Sequence, residues 1–240
     1  MKDDEPIYLL AQRRLRDYIR ENELSPGDRL PSEADLAAQL GVSRLTVREA
    51  TRSLQTLGVI HAQRGSGLFV AEFSFRPIID QLPYGLAGSG RAIAEVLVAR
   101  EAMEAGLMPA VVRAGESDSL HRCAEIAALM IERAEHGEDF PDLDEEFHRT
   151  LYAGLHNPLV DNLIDLFWRL FGELTREAGD RMPPPEPNRG AVHARIVNAL
   201  MSGDEQLAVT RMREHFDDLR RRVDALVVSG ATGREHPPSH

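Results

Sequence analysis

Gly41-Val42-Ser43-Arg44-Leu45-Thr46-Val47-Arg48-Glu49-Ala50 decides how the N-terminal part of this chain folds. Gly41 breaks a short apolar helical pattern, and Ser43 stands where its hydroxyl meets the free N–H groups of a new helix. That helix is expected to run to about Leu57, where Gly58 stops it. Val47, Ala50, Leu54 and Leu57 form its core-facing stripe. Arg44 and Arg48, four residues apart, share the opposite face. Two short helices joined through a glycine turn make a helix-turn-helix, whose second helix lies in the DNA major groove with its first turn against the bases. Arginine bonds a guanine edge bidentately or clamps a phosphate, and Thr46 reaches a phosphate or a thymine methyl. Simple solvation of a helix face accounts equally well for Arg44, Arg48 or Arg52 taken alone.

Upstream, Ser32 is placed to cap the preceding short helix, with Asp35 three residues on as a shortened capping-box partner. Pro6 opens a first helical pattern through Ile7, Ala11, Leu15 and Tyr18/Ile19, closed near Asn22 and Ser25-Pro26-Gly27-Asp28. Downstream, Val59–Ala62 and Gly67–Val70 are β-prone runs around Gln63-Arg64-Gly65-Ser66, a hairpin with Arg64 at its tip. Gly65 and Gly67 let its backbone approach a duplex closely.

The run Pro26-Gly27-Asp28-Arg29-Leu30-Pro31-Ser32-Glu33, then Leu36-Ala37, the stretch from Gly41 to Ala50, Leu54 and Leu57-Gly58 resembles the N-terminal domain of the GntR regulator family over residues 6 to 70. The resemblance implies a winged helix-turn-helix. It puts Arg29, Arg44, Thr46, Arg48 and Arg64-Gly65 at positions that contact operator DNA, and the capping Ser43 is counted with them. Ala34 departs from the pattern, since many members of the branch carry arginine there, so one contact common in relatives is expected to be missing.

The chain has 240 residues, room for two domains, and its 42% hydrophobic and 28% charged content is that of a soluble globular protein. Its net charge of −11 runs against DNA binding until it is read by region. Between Tyr8 and Val70, nine arginines face seven acids, so that segment is +2 and the remainder −13. DNA responds to the face presented to it, not to the total. Cys123 is the only cysteine, so no internal disulfide forms and a metal site would use nitrogen and oxygen ligands. No apolar run is long enough to span a membrane, and the acidic N-terminus is no secretory signal. The expected location is the cytoplasm.

Residues 71–90, rich in proline and glycine, read as a linker. Beyond them the pattern is all helical, with segments near 92–113, 117–135, 141–155, 158–178, 190–201 and 204–228, and a disordered tail expected from Ser229. The expected fold is therefore mainly α: a three-helix winged head with a small β-hairpin, and an antiparallel bundle of six or seven helices over 91–228.

Of nine histidines, His61, His121, His136, His156, His236 and His240 have no placeable partner and read as surface or structural. Asp144 and His148 are i and i+4 on one helix, bordering Leu143, Phe147, Leu151 and Leu155. His193 leads the stripe Ile196, Val197, Leu200, and His215 sits within Ala208, Met212, Leu219, Val223, Leu226. Each buried imidazole needs partners, and one divalent ion (Zn, Ni or Mn) satisfies all four side chains, as helix bundles commonly arrange. Asp144-Glu145-Glu146-Phe147-His148, Asn157-Pro158-Leu159 and the pair His193/His215 resemble the FCD effector domain of the FadR branch over about residues 92–226. That resemblance implies Asp144, His148, His193 and His215 as metal ligands, and Arg100 as the residue that holds the carboxylate of an organic-acid effector. An arginine on the stripe Ile93, Leu97, Glu104, Leu107, Val111 is out of place without an anionic partner, and an internal Arg100–Glu104 pair is the alternative.

The function expected is that of a ligand-responsive repressor. As a homodimer it would read an inverted-repeat operator with half-sites about one helical turn apart or less. It is not expected to be an enzyme. The alternatives are a metal-dependent hydrolase, or a helical domain that serves only for dimerisation.

Overall fold

In the computed structural model, Ser43 Oγ accepts the Thr46 backbone N–H at 3.1 Å, and Ser32 Oγ accepts that of Asp35 at 3.2 Å. These two caps fix where α2 (Glu33–Leu40) and α3 (Arg44–Thr56) begin, behind α1 (Ile7–Glu21). Between α2 and α3, Gly41 takes a left-handed φ of 64°, the conformation that lets the chain leave one helix and enter the next within three residues. The structure describes residues 6–79, 90–115, 117–186 and 189–232.

The chain divides into two compact units, Met1–Gln81 and Leu82–His240. In the first, β1 (Ile60–Gln63) and β2 (Gly67–Val70) pair antiparallel, Ile60 opposite Val70, as a two-stranded wing. Leu30 N–H donates to Leu68 O at 2.8 Å and Arg29 bridges to Phe69, so the loop before α2 adds a rung to the wing. Leu15, Leu36, Val47, Leu54, Ile60 and Leu68 form this unit's core. Leu57 does not join them. It is 52% exposed, because α3 ends one residue earlier and Gly58, at φ 70°, turns Val59 back to bond Leu54 O. A four-residue helix, α4 (Arg76–Ile79), lies within the stretch read as linker, and residues 80–89 of it fall outside those described.

The second unit is α5 (Gly90–Ala114), α6 (Asp118–Glu135), α7 (Pro141–Ala153), α8 (Pro158–Ala178), α9 (Gly190–Met201), α10 (Glu205–His215) and α11 (Asp217–Thr232). Asn157 caps α8 by accepting from Leu159 and Val160 N–H, and Pro158 takes the first helical position, where a missing N–H costs nothing. The long α5 is central, packing against α8, α10 and α11, while α6 is held between α7 and α9. The single helix expected over 204–228 is two. At Phe216 the backbone N–H bonds back three residues to Arg213, which tightens the turn, and the ring is fully buried. The tail expected from Ser229 begins inside α11, and residues 233–240 lie outside those described.

Candidate functional site

On the first turn of α3, Arg44 and Arg48 are exposed and Thr46 is half-buried. The Ser43 hydroxyl also lies 2.8 Å from Thr46 Oγ1, so the residue that starts the helix also orients a candidate DNA contact. Arg48 Nε is 3.2 Å from Glu33 Oε2, an exposed pair that ties the two helices together and releases readily for a stronger anion such as a phosphate. Arg64 and Gly65 (φ 78°) are exposed at the wing's turn. A Cβ on Gly67 would meet Arg29 Nε at 3.4 Å, so that glycine's bareness leaves room for the Arg29 guanidinium against the wing. Leu45, overlooked in the sequence reading, is 65% exposed between the two arginines.

In the helical unit α7 contributes Asp144 and His148, α9 contributes His193, and α10 contributes His215. One ligating atom from each lies within 4.8 Å of all the others. His193 Nε2 is 2.9 Å from Asp144 Oδ1, His148 Nε2 is 3.4 Å from the same oxygen, and His148 Nε2 is 3.1 Å from His215 Nε2. Donor atoms bound at ~2.0–2.1 Å to one ion sit ~3.0–3.4 Å apart on adjacent positions, so these edges are of the right length. The donor set, three imidazole nitrogens and a carboxylate oxygen, suits a divalent ion, and the residues present fit one.

Glu104 on α5 was seen in the sequence only as the alternative partner of Arg100; its bond to His148 was not. It does both jobs. Its Oε1 accepts from Arg100 Nε at 2.6 Å, and its Oε2 is hydrogen-bonded to His148 Nδ1. A carboxylate behind a ligating histidine fixes the tautomer that offers the other nitrogen to a metal. Burial opposes ionisation of Glu104, but His148 and Arg100 outweigh it and hold its pKa at about 2. His148 meets the same opposition from burial, and Glu104 with Asp144 still raises its pKa. His215 is pushed well below the ordinary value by burial and by the two neighbouring histidines. The two carboxylates thus favour the protonated form at His148, while burial and the other imidazoles disfavour it at His215.

Two family descriptions match the chain: bacterial regulatory proteins of the gntR family over residues 7–70, and the FCD domain over residues 95–218. A protein of Escherichia coli K12 with the provisional name L-lactate dehydrogenase operon regulatory protein is 30% identical over 217 residues, 85% of this chain and 81% of its own. The transcriptional regulator LutR of Bacillus subtilis 168 is 27% identical over 205 residues, 84% of this chain and 94% of its own. Among solved structures, Streptococcus agalactiae GntR superposes with a TM-score of 0.67 at 24% identity, covering 90% of this chain and 99% of that one, a likeness of fold.

The chain is a GntR-family transcription regulator with an FCD domain.

As such it is a DNA-binding regulator and not an enzyme, and no described helix is long and apolar enough to cross a membrane. Beside the four converging residues of this FCD domain opens a cavity of about 510 Å³ that Arg100, Asp144, His193 and His215 help to line. Arg100 is 2% exposed, and its guanidinium lies 4.0 Å over the Trp168 ring and 5.4 Å from that of Phe216. The internal Arg100–Glu104 pair is therefore formed, yet Arg100 Nη2 is buried with no partner, as is His193 Nδ1. The arginine, itself a cavity-lining residue, keeps one donor without a partner among the described residues. Of the histidines set aside, His61 stacks on Phe69 and His136 bonds the Glu132 carbonyl; His236 and His240 lie outside the described residues.

Proposed function

We propose that this GntR-family regulator binds an inverted-repeat operator as a homodimer, represses from it, and answers to a small organic acid bound beside a divalent ion in the FCD domain. The convergence of Asp144, His148, His193 and His215 carries the reading, because three inward imidazoles and a carboxylate in mutual reach leave a centre that a cation fits. Asp144, His148, His193 and His215 would hold zinc, nickel or manganese, and the ion would supply a Lewis-acidic position for a ligand oxygen. Arg100, with one fork already on Glu104, has Nη2 left for the carboxylate. The name of one relative, tied to an L-lactate dehydrogenase operon, favours an organic acid as the class of signal.

DNA would be read by Arg29, Ser43, Arg44, Thr46, Arg48, Arg64 and Gly65 in the cytoplasm. Residues 6–70 form the reading head, 71–90 the joint, and 91–228 the sensor. An effector shifts operator occupancy only by its difference in affinity for the DNA-bound and released states, a coupling of ~1–3 kcal/mol. The test is elemental analysis of protein purified without chelator, followed by operator gel shifts across a panel of hydroxy and keto acids. One ion per chain, lost in His193→Ala, and an acid that changes operator affinity ~5-fold or more are the expected results. Operator binding indifferent to every acid and to metal removal would reduce the helical domain to an assembly module.

A further inference from the structure

Of the fourteen residues that line the cavity beside the metal centre, only Val192 and Leu219 are apolar. A small monoacid is satisfied by Arg100 and an ion, yet the same wall carries four further arginines, Arg189, Arg195, Arg221 and Arg222, and the side chains of Arg189 and Arg222 are only 22% and 19% exposed. Neither is a freely solvated surface charge. The Arg189 guanidinium lies 4.4 Å over the Phe140 ring and pairs with Asp139, whose carboxylate is 66% exposed and so well screened by water. Arg222 Nε donates to Pro183 O at 2.6 Å, and its Nη1 stands 3.8 Å from Asp218 Oδ2, a carboxylate shared with Arg221. Burial, and for Arg189 the nearby Arg222, disfavour the charged forms, and Asp218 opposes this in both.

Arg189 is also the N-cap residue of α9. Among the described residues that helix has no side-chain cap and no acid in its first turn, so its first-turn N–H groups are open to an anion. Independently, the cavity-lining Arg100 and His193, each 2% exposed, keep one buried nitrogen apiece with no partner among the described residues, an unmet polar demand at the cavity's edge.

We propose that the effector carries a second anionic group, a carboxylate or a phosphate, held by Arg189 and Arg222 at the N-terminal end of α9. The inference rests on the effector reading above and narrows it, from small organic acids in general to those with two negatively charged groups. Bidentate guanidinium forks and free helix N–H groups are the natural partners of such a group. Glu214 and Asp217 on the same wall disfavour an anion placed away from the arginines, while Asp218 and Glu186 are already engaged by Arg221 and Arg222.

Calorimetric titration of the zinc-loaded full-length protein tests this with matched probes that differ only at the distal end: glycerate against 3-phosphoglycerate, and gluconate against glucarate and 6-phosphogluconate. The expected result is that the dianionic member of a pair binds about tenfold tighter or more. Arg189→Gln and Arg222→Gln should each bring it to within about threefold of its monoanionic partner, whose affinity stays put. Arg222→Lys should recover part of the preference and guards against a variant that merely misfolds. Whether carboxylate or phosphate gains more identifies the distal group. Equal affinities within every pair, or a preference that survives both glutamine variants, overturns the inference and leaves the monoacid reading standing. If no acid of either charge binds although zinc does, the effector reading itself fails.

Discussion

Glu104 joins two residues that the sequence already marked, and its place explains why it was hard to see. From spacing alone it is the i+4 neighbour of Arg100, and that pair is real. Its bond to His148, forty-four residues on, joins α5 to α7 across the bundle and has no local signal. A buried glutamate on an apolar stripe, needing more than one partner, was the available hint. Replacing Glu104 by glutamine should therefore weaken zinc binding ~10–100-fold in a competition titration, by freeing the His148 ring rather than by removing a ligand. An unchanged affinity would show that Glu104 serves only Arg100. Cys123 is a simpler case. It is fully buried, its Sγ donates to Phe147 O at 3.7 Å, and burial pushes its pKa up to about 12. Since the thiolate is the reactive form, the native protein should be inert to thiol reagents at pH 8 and react fully once unfolded.

Helix starts were legible because they rest on local chemistry: Ser32, Ser43 and Asn157 cap where their sequence context placed them. Ser43→Ala should cost ~1 kcal/mol in denaturant unfolding of the head, and should weaken operator binding beyond that by loosening Thr46. The misread boundaries were ends. Leu57 continues the apolar stripe of α3 in register but falls outside the helix, and nothing in the periodicity through Phe216 betrays the tightened turn between α10 and α11. A close approach also escaped notice. A Cβ on Gly190 would stand 2.7 Å from the Met130 carbonyl oxygen, so α9 begins with its backbone against that of α6. Gly190→Ala forces those two helices apart and should destabilise the helical unit by ~1–3 kcal/mol on thermal melting, with His193 displaced along with its helix.

At the scale of the whole chain, what was legible was the sum of independent local signals, a winged head and a helical body, because each unit buries its own core. What was not legible was which side chains on separate helices meet, as the Glu104–His148 bond shows. Two cores imply two melting events, and among the described residues the four candidate ligands Asp144, His148, His193 and His215 all lie in the helical unit. Zinc binding should raise the transition of the helical unit by mass action and leave that of the head unchanged, as seen in calorimetric scans with and without chelator. A shift of both transitions together would show that the units unfold as one cooperative block.

Trp168 is the only tryptophan in the chain, and Arg100 rests against its ring. The molecule is therefore labelled by its own indole, one side chain behind the cavity-lining Arg100, while the N-terminal unit is dark when tryptophan alone is excited. Any molecule that draws the guanidinium away from that ring will change the emission, so an unmodified sample in a cuvette can be screened for its signal without knowing the promoter it governs.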